Sequence, residues 1–169
     1  MSVPVFAPAE IVGVHRQVRP SRPTVGIGRG NFRINSIKGC GAVQVTLLKG
    51  KIHRCTVTHA DVNYEGSVTI SAELMEAAGI VEHEQVHVWN VTNAERITTY
   101  AMRGPRESGV ICINGAAAKL VKPGDVVIIA AFIGASAAEA GAWKPSVVFV
   151  DSKNRITSTV MRESPGPES

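Results

Sequence analysis

The sequence predicts a mainly β chain with a few short helices, folded as one small barrel. Short runs of β-branched and apolar residues recur along it. Gly, Pro and Asn punctuate those runs. The stretches with helical period between them are brief, which argues for a barrel rather than a doubly wound sheet.

The elements follow in order. Residues 47–58 are rich in β-branched side chains and hold no Pro, so they form a long strand. Residues 61–67 are a turn region leading into a short strand at Val68, Thr69 and Ile70. Ser71 is placed to cap a short helix whose apolar face is Leu74, Met75 and Ala78 and whose end is Gly79. Residues 86–91 and 96–102 form a hairpin about Asn93-Ala94, and Gly104-Pro105 ends the second strand. Residues 110–113 make another short strand, after which Asn114 can cap a brief helix through Gly115, Ala116, Ala117 and Ala118. In Pro123-Gly124-Asp125 the Pro fixes φ and the Gly allows a positive one, which makes a turn. Residues 126–132 are apolar throughout, as in a strand buried on both faces. A helical turn or two over 135–141 and closing strands at 146–150 and 156–160 complete the chain.

At 169 residues the chain fits one domain, with a core mainly of Val, Ile, Leu and Ala. We divide it into a flexible basic leader (1–44), a barrel domain (45–160) and a disordered tail (161–169). The net charge of +4 is misleading. Residues 1–42 carry six basic residues against the single acid Glu10, and the remainder carries 12 basic and 13 acidic residues. The basic pI belongs to the leader, so the folded part gives no support for nucleic-acid binding. Cys40, Cys55 and Cys112 make an odd count without a C-x-x-C pair. Cys55 and Cys112 read as small buried hydrophobes in a reduced, cytoplasmic setting. No secretory signal is evident, and the longest uncharged run is too short for a membrane span. His53, His59 and Asp61 lack a recognised metal-ligand spacing, so no metal is assigned.

Several motifs then fall in one order: Lys51-Ile52-His53-Arg54, Thr58-His59-Ala60-Asp61, Tyr64-Glu65-Gly66-Ser67, Trp89-Asn90-Val91-Thr92-Asn93, Arg96 with Thr99-Tyr100, Asn114-Gly115-Ala116-Ala117, and Pro123-Gly124-Asp125. In this order and spacing the chain resembles the pyruvoyl-dependent aspartate 1-decarboxylase family over roughly residues 45–160. The resemblance implies a double-psi β-barrel, a homotetramer, and the conversion of L-aspartate to β-alanine and carbon dioxide for pantothenate and coenzyme A synthesis. It also implies a covalent pyruvoyl cofactor derived from Ser67 by self-cleavage between Gly66 and Ser67.

The chemistry fits that implication. Removing a carboxylate from an amino acid leaves a carbanion at Cα, and a Schiff base conjugated with a second carbonyl is the electron sink it needs. No coded side chain carries such a carbonyl, but a serine can become one in place. Its hydroxyl adds to the preceding carbonyl, the amide shifts to an ester, β-elimination leaves dehydroalanine, and hydrolysis gives the pyruvoyl group. Gly66 suits the attack because a missing Cβ permits close approach and unusual backbone angles, and a strained turn would lower the barrier.

On this reading Arg96 holds a substrate carboxylate through two parallel hydrogen bonds, and Lys51 supplies a second cation. Gripping the departing carboxylate would stabilise the ground state, so the firmer grip belongs on the carboxylate that stays. Tyr100 is the proton donor to Cα, since a phenol, with an ordinary pKa of about 10, keeps its proton at neutral pH. The resemblance puts Thr99 in substrate binding. The small residues Gly115, Ala116 and Ala117 can turn backbone N–H groups toward an anion. Tyr64 and Thr99 are placed to orient the cleavage-site carbonyl, and His53 to line the site, with Asn114 in support.

Two features depart from the family's pattern. One is the leader. The other is Asn93-Ala94, which stands where Asn-Gly is typical and puts a non-glycine residue at an awkward angle or changes the turn type, with an effect on Arg96. Cleavage is either spontaneous or assisted by a maturation partner. The rival reading is an unprocessed barrel serving as a non-catalytic binding module.

Overall fold

A computed structural model describes residues 43–162. The leader up to residue 42, Cys40 within it, and the tail from residue 163 lie outside the described residues. The elements in order are β1 (Gln44–Thr56), β2 (His59–Asp61), β3 (Ser67–Ser71), α1 (Ala72–Ala78), β4 (Gln85–Asn90), β5 (Arg96–Gly104), β6 (Ile111–Asn114), a 3-10 helix (Gly115–Lys119), β7 (Val126–Ser136), α2 (Ala137–Ala140), β8 (Ser146–Val150) and β9 (Ile156–Val160).

The described strands lie in the order β2-β6-β3-β5-β4-β7-β1-β8-β9. That row closes on itself, because β1 and β2 are one path interrupted at Val57 and Thr58. Val57 N donates to Asp125 O at 2.8 Å, just before β7, and Thr58 N donates to Ile111 O on β6 at 2.8 Å. Six strands therefore form a ring: the β1–β2 path, β6, β3, β5, β4 and β7. Two pairings in it are parallel, β2 with β6 and β3 with β5. The rest are antiparallel: β3–β6, β4–β5, β4–β7 and β1–β7. Exchanging the set β1–β2, β3, β4 for the set β5, β6, β7 leaves the ring unchanged, so the barrel has a pseudo-two-fold. This is a double-psi β-barrel. The β8–β9 hairpin extends it, β8 lying parallel to residues Gly50 to His53 of β1.

The interior is filled by Ile52, Ile70, Leu74, Met75, Ile111, Ile113 and Ile129 with several valines, all essentially without solvent contact. Cys55 is fully buried among them, and burial pushes its thiol up to about 12. On β7, Val127, Ile129, Ala130 and Ala131 are buried, but Ile128 and Phe132 are only half-buried. The expectation of burial on both faces is thus corrected over part of the strand. A barrel strand turns one face outward, and Phe132 there meets His87 with ring centroids 5.1 Å apart.

Pairing between strands overrides local propensity at several places. β7 runs on to Ser136, through residues expected to begin a helix, because β1 pairs with it as far as Gln44 opposite Ser136. Only Ala137–Ala140 remain helical, held by a capping box between Ser136 and Glu139. β2 takes in His59 and Ala60, to which the sequence assigns no element, and Asp61 of the expected turn, drawn out by its pairing with β6. Both expected helix caps are corrected as well. Ser71 and Asn114 sit at helix starts, yet neither side chain caps. The Ser71 hydroxyl donates to Glu73 Oε1 at 2.6 Å, while Asn114 turns toward β3. The glycine signals are met: Gly79 (φ 66°) closes α1, and Gly124 takes φ 93° in the turn before β7.

Candidate active site

The site grows from the antiparallel register of β3 and β6, which sets Ser67 opposite Asn114. Ser67 is the first residue of β3 and only 1% exposed, whereas Tyr64, Glu65 and Gly66 before it are exposed. The Gly66–Ser67 peptide therefore crosses from surface to interior. Asn114 is buried too; its Nδ2 donates to Ser67 Oγ at 2.9 Å and to Thr69 Oγ1 at 3.1 Å. Its Oδ1 accepts from Cys112 Sγ at 3.2 Å. Alternation along the strands puts Ser67 and Thr69 on one face of β3 and Cys112 and Asn114 on one face of β6, so the four side chains meet.

After Asn114 the chain turns through Gly115, whose φ is +66°. A Cβ on Gly115 would lie 2.7 Å from Gly66 Cα, 2.9 Å from Gly66 N and 3.1 Å from Tyr64 O. Only glycine lets this backbone press against the residue preceding Ser67. Gly66 itself is different. It is not among the residues of positive φ, and a Cβ on it would meet nothing within 4 Å. The left-handed angle belongs to Gly115 and not to Gly66.

A cleft of about 540 Å³ opens beside this pair, lined among others by Gly66, Arg96, Thr99, Tyr100, Asn114 and Ala117. Ala116, Ile97, Thr98 and Leu120 complete its wall. β5 supplies Arg96 and Tyr100 on its outward face, with Tyr100 37% exposed. Trp89 is the cross-strand partner of Arg96, and the guanidinium lies 5.3 Å from the centre of its ring. That stacking holds the guanidinium end of the long side chain. The hairpin behind it is anchored by Asn90, whose Oδ1 accepts from Thr92 N at 2.9 Å and whose Nδ2 donates to Asp125 Oδ2 at 2.7 Å. Its turn contains Ala94 at φ 67°, so the alanine takes up the left-handed angle that glycine would ordinarily occupy.

Ten of the residues singled out in the sequence thus gather here: Tyr64, Gly66, Ser67, Arg96, Thr99, Tyr100, Asn114, Gly115, Ala116 and Ala117. Lys51 and His53 do not line this cleft. Lys51 lies in β1 between Ala130 of β7 and Val147 of β8, and burial lowers its pKa. His53 packs its ring against Phe149 at 5.3 Å. Its Nδ1 is buried with no hydrogen-bond partner among the described residues. Burial first, then Lys51 and Arg54, hold its pKa below the ordinary value. Sequence reasoning passed over the roles of Thr69, Cys112 and Trp89, which emerge from strand register; the i, i+2 spacing of Cys112 and Asn114 was the available signal.

Fold and site together define a double-psi barrel with a serine-centred polar site at the head of an inner strand. A family model described as aspartate decarboxylase matches residues 43–157. The aspartate 1-decarboxylase of Myxococcus xanthus (strain DK1622) is 58% identical over 122 residues, 72% of this chain and 94% of that protein. Those of Xylella fastidiosa (strain M12) and Xanthomonas campestris pv. campestris (strain B100) are each 53% identical over 117 residues, 69% of this chain and 93% of theirs. The chain belongs to the aspartate decarboxylase family.

Proposed function

We propose that the chain removes the α-carboxylate of L-aspartate, giving β-alanine and carbon dioxide, on a pyruvoyl group it makes by cutting its own Gly66–Ser67 bond. The observation that carries the reading is the buried Ser67 Oγ held by Asn114 at the wall of a cleft that also contains Arg96, Thr99 and Tyr100. The names of the relatives supply the substrate and the reaction.

The residues present fit a pyruvoyl group at position 67. The serine is preceded by an exposed glycine with open space on its side-chain position, and an amide N–H already points at the oxygen that must carry charge. Once formed, the group supplies the electron sink for the carbanion. The other tasks belong to the chain's own side chains. Arg96, braced on Trp89, binds the carboxylate that stays. Tyr100 delivers a proton to Cα after carbon dioxide leaves. Thr99 and the backbone of Gly115, Ala116 and Ala117 position the substrate, and Tyr64 and Thr99 orient the Gly66 carbonyl for cleavage.

The wider reading takes residues 45–160 as the catalytic domain, a cytoplasmic homotetramer whose β-alanine feeds pantothenate synthesis, and leaves room for a maturation partner. Lys51 serves as the second cation and His53 as its neighbour in that assembly. Among the described residues no helix is long and apolar enough to cross a membrane.

Ser67→Ala tests the reading. The variant should keep its circular dichroism and melting curve, remain one chain, and release no carbon dioxide from aspartate. Release at the wild-type rate would refute it.

A further inference from the structure

We propose that Cys112 is a positioning residue for the self-cleavage, acting through the side chain of Asn114. This rests on the reading that Ser67 cuts its own peptide bond.

Asn114 can sit in two orientations. Its Nδ2 faces two hydroxyls, Ser67 Oγ and Thr69 Oγ1. A hydroxyl both donates and accepts, so neither one dictates which end of the amide points at it. Turned over, the amide would face Ser67 with its oxygen. Cys112 breaks the tie, because its sulfur is a poor acceptor for an amide N–H, so the amide turns Oδ1 toward Sγ, 3.2 Å away, where the thiol hydrogen can be donated. Burial, and next the carboxylate of Asp61, push that thiol's pKa up, so it keeps the hydrogen.

The orientation matters at a particular bond. Ser67 Oγ adds to the Gly66 carbonyl carbon, the C–N bond breaks, and the nitrogen takes up a proton, giving an ester through Oγ. Loss of the residue-67 Cα proton to solvent base then expels that oxygen. The Cβ–Oγ bond breaks, leaving the Gly66 carboxylate and dehydroalanine, which water converts to pyruvoyl with release of ammonia. Negative charge builds on Oγ as it departs. An N–H aimed at it stabilises that charge, and a carbonyl oxygen in the same place repels it.

The test is a time course of intact mass on freshly purified precursor, comparing wild type, Cys112→Ala and Cys112→Ser. The alanine variant should split about fivefold to tenfold more slowly, the effect of losing one neutral hydrogen bond. The serine variant keeps a donor, but its oxygen accepts as readily, so it should recover only part of the loss and split at a rate between those of the alanine variant and wild type. In an Asn114→Ala background, replacing Cys112 with Ala should change the rate no further. Cys112→Ala splitting at the wild-type rate, Cys112→Ser as slow as Cys112→Ala, or an equal slowing in the Asn114→Ala background would each overturn the proposal. A wild-type chain that never splits would instead remove the reading of Ser67 itself, and this inference with it.

Discussion

Gly115 presses its backbone against Gly66 so closely that a single methyl group on it would overlap the residue before Ser67. The contact joins the end of β6 to the bond before β3 and makes the geometry of Gly66–Ser67 a property of the barrel. Gly115→Ala should cost about 2 kcal/mol or more, since it adds overlap to a left-handed backbone angle. It should also stop chain splitting. Gly79→Ala is the control, with the same φ of 66° but open space around the new Cβ. It should cost about 1–2 kcal/mol and leave splitting intact. Urea unfolding and intact mass measure both.

Tyr100 stands on the outer face of β5, on the wall shared with Gly66 and Asn114. Tyr100→Phe keeps the ring and removes the proton. We expect chain splitting to proceed and kcat for aspartate to fall roughly 10²- to 10⁴-fold, with KM changed only a few-fold. A KM effect alone would make Tyr100 a binding group instead.

Ala94 carries a left-handed angle in the turn that delivers Arg96 to the cleft. Ala94→Gly should stabilise the protein by about 1 kcal/mol in urea unfolding, as the removal of a left-handed Cβ requires. Because Asn90 and the Arg96–Trp89 contact hold the hairpin independently, KM should stay near wild type.

His53 gives a pH signature. Its pKa is held below the ordinary value of about 6.5, so in this window the unfolded chain binds more protons than the folded one. Its stabilising contribution is complete above the unfolded pKa and falls as pH drops below it toward the folded pKa. Stability should therefore decline from about pH 7 downward through the low sixes, and His53→Phe should flatten that part of the profile. An unchanged slope in the variant would assign the decline to other groups.

Much of the fold was legible because it is set locally. The turn at Pro123-Gly124-Asp125 and the glycine ending α1 follow from residue types alone, and the left-handed angle at Ala94 is one of the two outcomes expected where the family has Asn-Gly. β2 and the last four residues of β7 were hidden, because partners far along the chain draw them into strands. The site divided along the same line. Ser67 and Asn114 could be singled out in sequence, but their contact depends on the β3–β6 register. Cys112 reads as a small hydrophobe until that register sets it against Asn114. Lys51 and His53 have the residue types of the site, yet barrel closure sends them to β1's pairing with β7 and β8, away from the cleft.

The masses of the purified polypeptides test the central claim most directly. We predict two chains, residues 1–66 ending in a carboxylate and residues 67–169, the second lighter by one ammonia than a chain beginning with serine. One unbroken chain with residue 67 still a serine, releasing carbon dioxide from aspartate, would contradict it.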